Sequence, residues 1–152
     1  MAVQHKCAGM VDVSDKVVTK RRAVAQGVIT LKPKAFKILL STGSPKGNVL
    51  ETAKIAGIMA AKETPALIPL CHPLVLEKVK VEFEILKSKN SIKVMAEVLC
   101  LGKTGVEMEA LAAVSAACLT IYDMMKWAGQ DMVISQIQLS HKSGGKSGVY
   151  QL

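Results

Sequence analysis

The segment from Val106 to Trp127, VEMEALAAVSAACLTIYDMMKW, restricts the fold of this chain more than any other. It predicts one long helix that is apolar on nearly every face. Such a helix cannot lie on the surface of a small domain, because it offers water no polar side. Its alanines permit another helix to approach closely, so we expect it at a subunit interface. The alternative is a helix enclosed between its own sheet and its own second helix.

The other segments predict a sheet for this helix to cover. Period-two alternation and β-rich composition predict strands at residues 21–31, 78–86, 92–101 and 132–140. Two shorter helices are predicted between the first two strands, one from Pro33 to a stop at Gly43 and one that Asn48 caps and that ends before Pro65. The order β–α–α–β–β–α–β predicts an α+β, ferredoxin-like fold, in which helices pack on one face of an antiparallel sheet.

A chain of 152 residues has the size of a single domain, here with an extended lead-in over residues 1–19 and a glycine-rich basic tail loop over residues 141–152. Its net charge of +8 favours anionic partners such as nucleic acid, acidic lipid or phosphorylated small molecules, although a solvated basic surface gives the same number. Four cysteines without a C-x-x-C pair, and no secretory leader, are typical of a cytoplasmic protein with reduced thiols. No apolar run reaches the roughly 18 residues of a membrane span.

Leu70, Cys71 and His72 lie in LIPLCHPL, an apolar run that two prolines stiffen. The adjacent Cys71 and His72 cannot chelate as a spaced pair would, and no zinc spacing occurs, so no metal site is predicted. Neighbouring side chains on extended backbone point apart, which argues against a Cys–His nucleophile. For His72, a hydrogen-bonded core position and a contact to a bound ligand both stay open.

Several lysines lie where an anion could bind. Lys46 is in a Pro-Gly turn, and Lys142 and Lys146 are in the glycine-rich tail, where backbone amides can approach an anion closely. This context makes a polyphosphate pocket plausible. The GKT and GKS tripeptides at 102–104 and 145–147 echo a phosphate-binding loop but lack its first glycine.

Charged residues also mark both ends of the long helix. Asp123 and Lys126 are three residues apart and form either a surface salt bridge or an acid–base pair with a partly desolvated lysine. Glu107 and Glu109 open the helix, where its dipole favours carboxylates. The two ends are roughly 21 Å apart at 1.5 Å per residue, so one small substrate cannot touch both. If both ends are functional, subunits combine to build each site.

Four stretches, MVDVSDK, AKIAGIMAAKETPALIPLCHPL, GKTGVEMEALAAVSAACLTIYDMMK and HKSGGKSG, resemble the molybdenum cofactor biosynthesis protein C family, the cyclic pyranopterin monophosphate synthases. The resemblance runs from about Met10 to Gly148. It implies a ferredoxin-like homohexamer, a trimer of dimers with active sites between subunits. The implied substrate is a cyclised GTP, 3′,8-cyclo-dihydroguanosine triphosphate, and pyrophosphate leaves as cyclic pyranopterin monophosphate forms.

The resemblance also implies roles for individual residues. Asp123 is the acid–base group, with Lys126 and Lys46 as catalytic partners. The implied substrate-binding residues are Leu70, Cys71, His72, Glu107, Met108, Glu109, Arg21, Lys142 and Lys146, with Arg21 chosen over Arg22. No redox cofactor is implied, and a magnesium ion could accompany the phosphates although no residue cluster demands it. The rival hypothesis, a basic ferredoxin-like nucleic-acid-binding module, lacks the paired strand aromatics on which bases would stack.

Overall fold

The computed structural model describes residues 7–152, so residues 1–6 of the predicted lead-in, including His5, lie outside the described part. Within that part the elements in chain order are β1 (Thr19–Thr30), α1 (Pro33–Ser41), α2 (Val49–Lys62), α3 (Thr64–Leu67), β2 (Leu76–Leu86), β3 (Ser91–Gly102), α4 (Glu107–Met125), β4 (Val133–Ser143) and β5 (Tyr150–Gln151). The strands form one antiparallel sheet in the order β2-β3-β1-β4-β5. The α+β prediction, with helices packed on an antiparallel sheet, is confirmed.

The structure corrects two predicted boundaries. Pro65 does not merely follow the second helix, because it lies in the first turn of the short helix α3, where proline needs no hydrogen-bond acceptor. The residues from 141 onward are not all loop. β4 continues to Ser143, with Lys142 opposite Ala23 of β1, and a two-residue strand β5 follows. The polar composition of residues 141–143 predicted a loop, but these residues pair with β1 and so extend the strand.

The core lies between α4 and one face of the sheet. Alternate residues of β1 and β3, such as Ala25, Ile29 and Val94, are fully buried on that face. On its other side α4 contacts α2, and a side chain at Gly57 of α2 would lie 2.9 Å from the carbonyl oxygen of Ala113. The two helices approach so closely because glycine and alanine line the contact. α4 is therefore enclosed by its own sheet and its own second helix, as one of the two interpretations predicted.

One strip of α4 remains uncovered in the single chain. We call Met108, Ala112, Ala116 and Leu119 the outer strip; they are partly buried or exposed, and Leu119 is 61% exposed. By length and composition alone α4 could also cross a membrane, but half of it is buried against the sheet and α2. Its packing is that of a core helix.

Candidate functional site

Three charged side chains meet at the C-terminal end of α4. Lys126 Nζ donates to Asp123 Oδ1 at 2.8 Å, and Lys46 Nζ donates to Asp123 Oδ2 at 2.6 Å. All three side chains are about half exposed. The first pair follows from helical spacing. Lys46 comes from a position 77 residues earlier in the chain, so only the fold brings it to Asp123.

A tight turn between α1 and α2 presents Lys46. Gly47 N–H donates to the Ser44 carbonyl oxygen at 2.9 Å, which closes a four-residue turn with proline in its second position. Gly47 has φ +112°, a conformation that glycine adopts without strain. Asn48 then caps α2 by accepting from Glu51 N–H at 3.1 Å, as predicted. The turn is short, and it is held by the Ser44–Gly47 hydrogen bond and followed at once by the capped start of α2. It therefore restricts the position of the Lys46 backbone.

The electrostatics of this cluster favour the charged forms of Asp123 and Lys126. Hydrogen bonds from Lys126 and then Lys46 lower the pKa of Asp123 to about 2. Asp123 in turn raises the pKa of Lys126. This direction is opposite to that of the desolvated lysine considered from sequence, because the hydrogen bond to Asp123 and the charge of its carboxylate favour the charged amine. At neutral pH the chain alone presents a carboxylate between two ammonium groups.

A cavity of about 310 Å³ lies at the other end of α4, and we call it the His72 cavity. It is lined by Leu70, Cys71, His72, Glu107, Met108 and Glu109, together with Val11, Val13, Lys16, Thr104 and Gly105. The fold thus brings the LCH segment, which follows α3, against the first turn of α4. All six sequence-predicted residues of this region line the same cavity.

A second, more polar cavity of about 150 Å³ adjoins it, and we call it the Arg21 cavity. Its lining is Lys16, Arg21, Arg22, Lys103, Thr104, Gly105, Glu107, Lys142, Ser143, Gly144 and Ser147. The two cavities share Lys16, Thr104, Gly105 and Glu107. Five basic side chains surround one carboxylate, Glu107, which accepts from Lys142 Nζ at 3.0 Å. Such a surface favours an anion.

Arg21 is part of the framework of its cavity. Its guanidinium donates to three backbone carbonyl oxygens, those of Gly102 at 3.3 Å, Lys103 at 3.1 Å and Gly144 at 3.1 Å. It therefore ties the end of β3 to the glycine-rich loop after β4. Arg22 also lines the cavity, but its Nε donates to Glu97 at 2.6 Å. Arg21 therefore shapes the backbone of the cavity, and its choice over Arg22 as the substrate-binding residue stays a prediction.

Two ionisable groups of the His72 cavity have pKa values above their usual range. Burial raises the pKa of Glu109, which is 3% exposed. Burial, and then the nearby Glu109, raise the pKa of the Cys71 thiol, which is unfavourable for a nucleophile. His72 is partly buried and lines the cavity. This position agrees with a contact to a bound ligand better than with a satisfied core residue.

Not every predicted residue joins a cavity, and some lining residues were missed. Lys146 is exposed and lines neither cavity. Lys16 and Lys103 were not named as site residues, although the MVDVSDK and GKTG stretches contain them. GKT was dismissed as an incomplete phosphate-binding loop, yet Lys103 and Thr104 line the Arg21 cavity. Within the described residues 7–152, no three His, Cys, Asp or Glu side chains lie close enough to hold a metal ion.

The lead-in forms one wall of the His72 cavity. Ser14 N–H donates to Asp12 Oδ1 at 2.9 Å, which makes a local turn, and Lys103 Nζ donates to the Ser14 carbonyl oxygen at 2.6 Å. Hydrogen bonds from Ser14, and more weakly the charges of Lys103 and His72, lower the pKa of Asp12. The segment is thus fixed beside the cavity, which explains how Val11 and Val13 reach it.

The chain is similar to one protein family and to curated proteins that carry the name of its activity. The MoaC family model matches residues 10–145. A protein of Parvibaculum lavamentivorans named cyclic pyranopterin monophosphate synthase is 53% identical over 144 residues, 95% of this chain and 90% of that protein. A protein of the same name from Methylobacterium sp. (strain 4-46) is 55% identical over 94% of this chain and 89% of that protein. Another from Pelotomaculum thermopropionicum is 49% identical over 95% of this chain and 85% of that protein.

Proposed function

The chain belongs to the MoaC family, and we propose on that premise that the Asp123 cluster and the two adjoining cavities are the two halves of its substrate site. The chain is an enzyme of molybdenum cofactor biosynthesis that forms cyclic pyranopterin monophosphate. The names of its relatives do not favour the nucleic-acid-binding alternative. The observation that carries the proposal is the gathering of all the implied residues except Lys146 into one charged cluster and one pair of cavities, at opposite ends of α4.

The proposed substrate is (8S)-3′,8-cyclo-7,8-dihydroguanosine 5′-triphosphate, with pyrophosphate as the leaving group. The basic Arg21 cavity suits its phosphates, with Lys142 of β4 donating to them and Arg21 holding the glycine-rich loop that follows β4. The adjoining His72 cavity is larger and less basic, which suits the ring system. The proposal needs no redox cofactor, and a magnesium ion could accompany the substrate phosphates. We propose a cytoplasmic location, in keeping with free Cys100 and Cys118.

The proposed assembly is a homohexamer built as a trimer of dimers. The outer strip of α4 runs between the two halves of the site and is uncovered in the single chain. Two copies that pack their outer strips antiparallel about a twofold axis would place the Asp123 of one copy beside the cavities of the other. A single chain cannot do this, because its own cluster and cavities are roughly 21 Å apart along α4, at 1.5 Å per residue.

In the proposed mechanism Asp123 and Lys126 exchange protons with the substrate as the five-membered purine ring opens and the pterin closes. Lys46 stabilises negative charge that develops in those steps, and loss of pyrophosphate accompanies closure of the cyclic phosphate. Covering the cluster with the neighbouring copy and the substrate would exclude water. Desolvation raises the pKa of a carboxylate and lowers that of an ammonium group, so both would move toward neutrality.

The Asp123→Asn variant tests this function. We expect unchanged assembly, substrate affinity within about threefold of the unmodified enzyme, and product formation reduced at least about 100-fold, as for loss of a general acid–base group. Asp131→Asn is the matched control, because Asp131 also pairs with a lysine, Lys32, at 3.7 Å, outside the site. Normal turnover by Asp123→Asn, measured as pyrophosphate release, would contradict the proposal.

A further inference from the structure

Ser44 connects the turn that carries Lys46 to the helix that carries Asp123. Its hydroxyl donates to the Met124 carbonyl oxygen at 2.7 Å, across 80 residues of sequence, and accepts from Lys46 N–H at 3.2 Å. Ser44 is 9% exposed, which makes it one of the few buried polar residues of the described chain. One buried hydroxyl is therefore bonded directly to Lys46 and to the residue next to Asp123.

The acceptor on α4 explains why a hydroxyl is needed there. The last four carbonyl groups of a helix have no partner within the helix. In α4 the Tyr122 carbonyl accepts from Lys126 N–H and the Met125 carbonyl accepts from Ala128 N–H. The Met124 carbonyl between them accepts from Ser44. Serine can do this and still accept from Lys46, because a hydroxyl has one proton to donate and two lone pairs.

The Lys46–Asp123 ion pair is not sufficient to fix its own geometry. Both side chains are about half exposed, and pairs between exposed charges contribute little and exchange readily with water. Lys46 also has a long, flexible side chain. What holds the backbone of Lys46 against the end of α4 is the buried Ser44 bridge, together with the Ser44–Gly47 turn.

We propose that Ser44 is a positioning residue for the reaction, which acts by holding the Lys46 amine against the Asp123 carboxylate through its bridge to the Met124 carbonyl. This inference rests on the proposed function of the Lys46–Asp123–Lys126 cluster. Ser44 does not touch the substrate in this account. Its loss should displace Lys46 relative to Asp123 and leave both cavities, at the far end of α4, intact.

The first test compares Ser44→Ala with Ser41→Ala in the assembled enzyme. Ser41 also donates its hydroxyl to a backbone carbonyl, that of Lys37 at 2.9 Å, but lies outside the cluster. We expect kcat of Ser44→Ala to fall about 10- to 100-fold, since a small misplacement of a reacting group has effects of this size. KM should change less than about threefold, Ser41→Ala should keep normal kinetics, and Ser44→Thr, which retains the hydroxyl, should recover much of the kcat.

A double-mutant cycle separates positioning from general destabilisation. The Lys46→Arg variant lacks the amine that Ser44 is proposed to position. In that background Ser44→Ala should therefore reduce kcat much less than it does in the unmodified enzyme. If the two effects on kcat multiply independently, or if kcat of Ser44→Ala equals that of Ser41→Ala, the inference is wrong. If Ser44→Ala does not fold, Ser44→Cys, a weak donor of the same shape, takes its place in the cycle.

The same set of variants distinguishes failure of this inference from failure of the proposed function. Normal activity in both Lys46→Ala and Asp123→Asn would refute the function of the cluster itself. Loss of activity in those two variants, with normal kcat in Ser44→Ala, would refute only the role of Ser44.

Discussion

Two carboxylates at opposite ends of α4 have opposite electrostatic environments. Asp123 is exposed between two lysines, whose hydrogen bonds lower its pKa to about 2. Glu109 is buried, and desolvation raises its pKa. Pairs of acids whose environments separate their pKa values are typical of sites in which one group stays ionised and the other can carry a proton. Residue identity alone does not distinguish the two, because both are acidic residues in one apolar helix.

The raised pKa of Glu109 predicts a pH-dependent stability. The neutral form is favoured in the folded state, so its contribution is complete below the ordinary pKa of 4.5 and is lost as pH rises through the raised folded value. Glu109→Gln should therefore increase Tm at pH 7.5 by about 2–4 °C, the effect of about 1 kcal/mol in a protein of this size. At pH 4 we expect little change. Thermal unfolding at both pH values gives the measurement.

Glu107→Gln is the matched control for this prediction, because Glu107 lies two residues before Glu109 in the same first turn of α4. Glu107 is less buried and accepts from Lys142. Its neutralisation therefore removes an ion pair, and it relieves no desolvation cost comparable to that of the buried Glu109 carboxylate. It should not increase Tm at pH 7.5. An equal gain in both variants would mean that burial of Glu109 is not the cause.

At the scale of elements, the loop between β4 and β5 is shaped by its contact with Arg21. Gly144 and Gly145 have φ of +100° and +77°. The Gly144 carbonyl oxygen accepts from the Arg21 guanidinium, and Gly145 lies directly beside the same group. A side chain at Gly145 would overlap the Arg21 Nη1 atom. The glycines thus serve two purposes, the left-handed backbone and the space for the guanidinium. The loop position, and with it the shape of the Arg21 cavity, depends on this contact.

Gly145→Ala and Gly148→Ala together measure that contact. Both positions have positive φ, but a side chain at Gly148 would meet nothing within 4 Å. The strain of a left-handed alanine, about 1 kcal/mol, is therefore common to both variants. We expect Gly145→Ala alone to displace Arg21 and to raise the KM at least about 10-fold, the effect of about 1.4 kcal/mol. Steady-state kinetics of the two variants gives the comparison, and equal KM values would show that Arg21 does not depend on Gly145.

At the scale of the whole molecule, the single chain separates the parts that the chemistry needs together. The Asp123 cluster and the cavities lie at opposite ends of α4, and the outer strip between them is uncovered. The sheet and α2 cover the remaining faces of the helix. Both sequence-based interpretations of the helix therefore describe part of it: enclosed within the chain on most sides, and available to a second copy on one.

Mixing two defective variants tests the proposed sharing of sites. Asp123→Asn and Lys142→Ala damage different halves, so in a mixed dimer one site receives both unmodified halves and the other receives both defects. Random reassembly of equal amounts should recover about one quarter of the unmodified activity, since half of the dimers are mixed and each has one intact site. Each variant alone should remain far less active than this. Activity of the mixture no greater than the mean of the separate variants would show that each chain builds its own site.

The sequence determined the elements and most members of the candidate site. Hydrophobic periodicity, caps and turn residues are local signals, and they predicted every strand and helix longer than four residues, the SPKG turn and the Asn48 cap. The resemblance of long motifs supplied the cluster and six of the eleven residues that line the His72 cavity. Tertiary structure alone decided the extension of β4 through Lys142, the approach of Lys46 to Asp123, the Ser44 bridge and the use of Arg21 as a framework residue. These features depend on packing between segments far apart in the chain, and no local pattern records which distant backbone carbonyl or carboxylate a donor will meet.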